Sequence, residues 1–456
     1  MAVSEQATVA IKVDKKSGIL KRMRAGLSIV YASKIAMVGL AIVLFWVVVA
    51  VFAPWFTQYG PLEQDWKIGT HGGAAQIFNV WNAFRKAYPR IAVKMLCASI
   101  NEEYSPSTLA HSRRLKAQVF PPEDNSGKSG QLPAMLPKSW GAYSNSRLLD
   151  AVRKAQKSWP DAIVVVEMSL ALHYLDALAD QTKVALIVHE ALARRFMQEW
   201  RLAESRGDPT AREKEDLFHE VFRYESHYLP RVSRALCLSA EDAEYVRVAL
   251  GSARVGTIPL CIPVESIRNR VKGIRSEPET ICFWGSFIHP PNIHAVEFLL
   301  EEAWPLVLKY RPSAKLRIYG SFLSPELRLK WAAHTGVEVV GQVKDIYRAV
   351  SRNSIATVPV VTGHGVRTKF LESLAMRRPV VTTRLGAEGL PVKHSVSCLI
   401  ADKGDALAKC FVRLLKDSRL RNCIAREGYK IALQHDARRS AAALHETLTD
   451  LNSASG

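Results

Sequence analysis

Residues 363–383 read "GHGVRTKFLESLAMRRPVVTT", with two glycines, two cations and a carboxylate in the first ten positions. Gly363 and Gly365 carry no Cβ, so the backbone there can take a positive φ and pass close to a ligand. The apolar residues that follow recur at helical spacing, which predicts a helix opening near Val366. Its unpaired N–H groups and positive dipole end would face the turn and favour a phosphate. Arg367 and Lys369 add charge at the same mouth. Glu372, about one and a half turns in, can accept hydrogen bonds from a ribose diol. A surface loop before an ordinary amphipathic helix would satisfy the same residues, because Gly-x-Gly turns with nearby cations are common. The other reading is a seat for a nucleotide diphosphate.

The surroundings of this stretch bear on that choice. "IATVPVV" (355–361) ahead of it and "RPVVTT" (378–383) at its end read as buried strands. Similar runs recur at "TICFWGS" (280–286), "KLRIYGS" (315–321), "VEVVGQV" (337–343) and "SCLIA" (397–401), with helical segments between them. An earlier series comprises "IAVKMLC" (91–97), "AIVVVE" (162–167), "VALIVH" (184–189), "RALCLS" (234–239) and "RVGTIPL" (254–260). Strands alternating with helices predict βαβ units and parallel sheets. The fold class is therefore α/β, with two consecutive domains at 67–263 and 264–456, and a ligand cleft at the carboxyl ends of their strands. A polar loop, "PPEDNSGKSGQ" (121–131), interrupts the first.

Residues 1–66 differ in kind. Between Lys34 and Glu63 no side chain is charged, and the apolar core at about 35–56 is long enough to cross a bilayer as one helix. Trp55 and Tyr59 suit its far interface. A cleavable signal is disfavoured, because the run is too long and Pro54 follows the small-residue site at Ala53. Lys15, Lys16, Lys21, Arg22, Arg24 and Lys34 precede the run, while only Lys67 closely follows it. That bias keeps the N-terminus in the cytoplasm and sends the remainder outward. The expected location is thus the inner (cytoplasmic) membrane, single-pass, although the later half needs the cytosol for activity.

With 456 residues, 48% of them hydrophobic, the chain can bury sizeable cores. A net charge of +19 points to anionic partners. Zinc-finger spacing and aromatic–basic recognition motifs are absent, which argues against nucleic acid. Seven scattered cysteines, none in CxxC, read as reduced thiols.

"PNIHAVEFLLEEAWPLVLKYRPSAKLRIYGS" (291–321), the run 337–390 around the opening stretch, and "DALAKCFVRLLKDSRLRNCIAREG" (405–428) resemble the retaining nucleotide-sugar glycosyltransferases called group 1. The resemblance covers about 67–440 and is most specific over 279–390. It implies a GT-B fold of two Rossmann-like domains, a nucleotide-sugar donor held mainly by the second, and no metal or other cofactor. It further implies that Glu372 binds the donor ribose, while Gly363, Gly365, Arg367 and Lys369 surround the diphosphate. "GTHGGAAQIFNVWNAF" (69–84) looks like the family's glycine-rich loop and first helix, which would bring Gly72 and Gly73 near the donor phosphates or the acceptor. "VALIVHEALARRFMQEW" (184–200) resembles the segment whose histidine, here His189, contacts the transferred sugar; a histidine merely capping a strand is the alternative. Glu225 and Ser239 read as structural. The acceptor would be a saccharide or a lipid-linked sugar.

The chain departs from this pattern in places. His364 stands where many members have a glutamate eight positions before the second one. "GSFIHPPNIHAV" (285–296) lacks the usual Arg and Lys pair, a charge that Arg367 and Lys369 would replace. The first strand of the first domain is missing, because residues 15–66 instead resemble the first helix of oligopeptide and dipeptide ABC-transporter permeases. Three readings follow: a membrane-tethered transferase, an inactive or impaired chimera of a permease start and a truncated transferase, or a permease-related membrane protein.

Overall fold

The computed structural model describes residues 72–98, 115–120, 133, 135–250, 254–363 and 367–453. The expected membrane span, the polar loop at 121–131 and Gly365 lie outside the described residues. Among the described residues no helix is long and apolar enough to cross a membrane.

The later half is built on a six-stranded parallel sheet. Its strands are β7 (Glu277–Trp284), β8 (Lys315–Tyr319), β9 (Val337–Gly341), β10 (Asn353–Val358), β11 (Val380–Thr382) and β12 (Leu399–Ile400). Their order is β12-β11-β10-β7-β8-β9. The chain runs outward from β7 to β9, then returns to β10 on the other side of β7. A crevice opens at such a reversal, beyond the carboxyl ends of the two strands. All six residues of β10 are buried, as a strand covered on both faces requires. The helix Thr368–Ala375 lies against this sheet through Phe370, Leu371 and Leu374, all fully buried. Each contributes about 1.5–3 kcal/mol by leaving water. The helix begins two residues later than its apolar pattern suggests, because Arg367 keeps an extended backbone (ψ 99°) as its N-cap.

The earlier half divides its strands between two parallel sheets. β3 (Val164–Glu167), β4 (Val184–Val188), β5 (Arg234–Cys237) and β6 (Val255–Thr257) form one sheet in that order. β1 (Met95–Ala98) and β2 (Ala117–Phe120) form the other. Among the described residues β1 pairs only with β2 and β3 only with β4. The free edge shows in the packing: all five residues of β4 are buried, but only Val166 of β3.

The helix Gly72–Ala87 bridges the two sheets. Arg85 donates to the carbonyls of Val93, at 2.8 Å, and of Leu115, just ahead of β1 and β2. Trp81 donates to Glu167 at the end of β3. The last helix, Ala437–Ser453, returns to this half although it follows the second sheet in sequence. The His445 ring stacks on Tyr88 with centroids 3.9 Å apart, and Lys183 donates to the Asn452 carbonyl. Cys237, Cys261, Cys282 and Cys398 are buried free thiols, and among the described residues every cysteine is unpaired.

Candidate active site

Gly363 closes the turn after β10 with φ +92°, and a Cβ there would stand 2.8 Å from Pro291. A side chain at this position would meet both backbone strain and a ring. Pro291 belongs to the segment following β7, so the two carboxyl ends at the sheet's reversal touch here.

Lys369 reaches into the same corner. Its ammonium donates to Asn292 Oδ1 at 2.6 Å and lies 4.5 Å from the centre of the Phe283 ring. A Cβ on Gly285, the residue after β7, would come within 2.9 Å of Nζ. Lys369, on the neighbouring helix, thus brings its amine against the 285–296 loop. Burial, and secondarily the Arg367 guanidinium, pull the Lys369 pKa down to about 7. Burial also lowers Arg367, opposed by the carboxylates of Glu388 and Glu190.

Glu372 accepts from the Tyr347 hydroxyl at 2.5 Å. Burial and the Glu372 charge push the Tyr347 phenol well above its ordinary value, so it stays a donor. This fixes one carboxylate oxygen of Glu372.

Across from these groups, His189 and Glu190 directly follow β4. His189 Nε2 lies 2.8 Å from Glu167 Oε2, and Trp81 Nε1 donates to Oε1 of the same carboxylate at 2.7 Å. Arg194, on the helix Leu192–Ser205, spans the two halves: it donates to Asp242 at 3.0 Å and to Glu388 at 3.4 Å. Since Glu190 and Glu388 both act on Arg367, the carboxyl end of β4 and the Gly363 turn border one electrostatic site.

Gly72 and Gly73 open the bridging helix, which joins this site further along through Trp81. Glu225 is fully buried and accepts from the Ala193 N–H, while Ser239 and Asp242 bond to each other. Both residues expected to be structural therefore hold up the helices beneath the site. Burial raises Glu225 to about 7.

Sequence reasoning passed over Glu167, Glu190, Arg194, Glu388, Asn292 and Tyr347. Glu167 carried a signal, being a carboxylate that ends an otherwise β-branched run. The others carried none, because their roles arise from elements far apart in the chain.

Residues 278–417 match the family described as Glycosyl transferases group 1. Residues 30–70 match the N-terminal TM domain of oligopeptide transport permease C. An uncharacterized 44.6 kDa protein in the cps region of Klebsiella pneumoniae is 26% identical over 144 residues, which cover 30% of this chain and 37% of that protein. The chain thus spans little more than a third of that relative's length.

Among solved structures, HepE of Anabaena in complex with UDP matches 83% of this chain and 96% of its own, with a TM-score of 0.56 and 14% identity. Sucrose-phosphate synthase of Thermosynechococcus elongatus matches 83% and 94%, with a TM-score of 0.58 and 16% identity. The fold is the mixed α/β architecture of these GT-B proteins.

Proposed function

We propose that this chain, whose second sheet is of the group 1 glycosyltransferase type, moves a sugar from a nucleotide-sugar donor to a saccharide or lipid-linked acceptor. The observation that carries this reading is the convergence of Arg367 and Lys369 on the Gly363 turn, at the reversal between β7 and β10. Two desolvated cations beside a helix N-terminus suit a diphosphate. The solved relative bound to UDP supports the same ligand class.

In this reading Glu372, braced by Tyr347, takes the ribose hydroxyls, and no metal is needed. The diphosphate leaves with its developing charge against Arg367, Lys369 and the helix N–H groups. His189 faces the sugar. No nucleophile suited to a covalent intermediate stands out, so the acceptor hydroxyl attacks from the side the diphosphate leaves, with retention at the anomeric carbon.

Transfer of labelled sugar by the purified full-length chain, across a panel of nucleotide sugars, tests the proposal. Replacing Arg367 or Lys369 with Ala should lower turnover by roughly a hundredfold. A double variant that works at the parent rate would sink it.

One observation favours the impaired-chimera reading. The free edges of β1 and β3 leave the first sheet in two parts among the described residues. Transfer absent from every donor, alongside retained nucleotide binding, would select that reading.

A further inference from the structure

Glu167 ends β3 and His189 follows β4. In their parallel register Glu167 stands opposite Ile187, and His189 lies two residues further along. A pleated strand puts positions two apart on one side, so the two side chains meet. The Glu167 carboxylate uses both oxygens, one on the Trp81 indole and one on His189 Nε2.

A carboxylate only accepts, so the hydrogen on this bond belongs to Nε2. In the neutral ring the other nitrogen, Nδ1, is then an acceptor. It is buried without a partner among the described residues, on a side chain only 6% exposed. A buried polar nitrogen left unpaired weakens the fold, which marks it as a place that a ligand group completes.

We propose that Glu167, steadied by Trp81, is a positioning residue: it holds His189 with the proton on Nε2 and presents Nδ1 to accept from a hydroxyl of the transferred sugar. This rests on the transferase reading above. The pairing also explains why a carboxylate closes a β-branched strand.

Glu167→Gln tests it sharply. The indole is a donor only, so the new carboxamide must turn its oxygen to Trp81 and its NH2 to His189 Nε2. The proton then moves to Nδ1, which becomes a donor, the wrong role for this site. In full-length protein labelled with 15N-histidine, the resonance that His189→Asn removes should show the Nε2–H form in the parent and the Nδ1–H form in Glu167→Gln. Transfer efficiency, kcat/KM, should fall about ten- to a hundredfold.

Adding Trp81→Phe frees the carboxamide oxygen to rotate toward His189. That double variant should regain the Nε2–H form and part of the lost efficiency, an outcome that general loss of structure would not give. A parent already in the Nδ1–H form, or a tautomer indifferent to Glu167→Gln, overturns the proposal. If the parent transfers no sugar at all, the transferase reading fails, and the spectra still decide the tautomer.

Discussion

The Lys369 ammonium is held between an amide oxygen and an aromatic face, donating to Asn292 while resting on Phe283. Enclosed in this way, with Arg367 close by, it titrates near 7 rather than at the ordinary lysine value. A donor diphosphate selects the charged form. Donor affinity should therefore weaken about tenfold between pH 6 and pH 8, with proton uptake on binding above pH 7. Calorimetry in buffers of different ionisation enthalpy measures that uptake directly. Binding that is flat over this range, with no proton taken up, would contradict it.

The same group sets a stability trend. Its folded pKa lies below that of the unfolded chain, so between about pH 7 and the ordinary lysine value the unfolded state holds more protons. The penalty of burying the charge is full below pH 7 and fades as pH rises through that window. Lys369→Met removes the buried charge while keeping its volume. The variant should melt higher than the parent at pH 6, converge with it near pH 10, and bind the donor at least about tenfold more weakly at pH 6. A variant that melts lower at pH 6 would mean that the Asn292 bond outweighs desolvation.

Glu372 and Tyr347 form a second testable pair. Losing a charge-assisted bond from Glu372 to the ribose costs about 1.5–3 kcal/mol, so Glu372→Gln should raise the donor KM about tenfold or more. Tyr347→Phe leaves the carboxylate in place but removes its brace. Its effect should fall in the same direction and be smaller, and the two changes combined should cost less than their sum, since both act on one oxygen. An unchanged KM in Glu372→Gln would remove that residue from the site.

How far the sequence alone reached depends on whether a feature is local. The run 355–383 was legible because a fully buried strand, a glycine turn and an amphipathic helix each leave their pattern in consecutive residues. The positive φ of Gly363 was expected on the same ground. β2 was not legible, since only Phe120 of its four residues is buried and polar sequence surrounds it. Nor was the bond between Glu167 and His189, which depends on the register of two strands. Glu388 meets Arg194 only because two separate sheets come together. No spacing along the chain encodes such meetings.

The return of the last helix to the first half predicts a specific weakness. Leu444 is fully buried, and its neighbour His445 stacks on Tyr88 of the segment that follows the bridging helix. Leu444→Ala should cost about 2–5 kcal/mol. Limited proteolysis should then cut first within residues 72–98, while the helix Thr368–Ala375, held by its own core contacts, stays protected. Initial cleavage near 368–375 would place the coupling elsewhere.

If the apolar run at about 35–56 crosses a membrane, its flanking charges set the side on which the two sheets lie. Seven basic residues, Lys12 among them, precede the apolar run and one closely follows it, so charge bias directs the C-terminal part outward. Nucleotide sugars are made in the cytosol. In a permease, further helices would carry the chain back, and residues 30–70 match the start of such a protein. After them comes a chain of alternating strands and helices, in which no described helix can cross a membrane. The expected outcome is an N-terminus inside and a transferase half separated from its donor, largely inactive in cells yet able to bind nucleotide once purified. C-terminal fusions read this out: alkaline phosphatase should be active and a cytoplasm-dependent fluorescent protein dark. Fluorescence with silent phosphatase would place the site on the donor's side and favour a working cytosolic-facing enzyme.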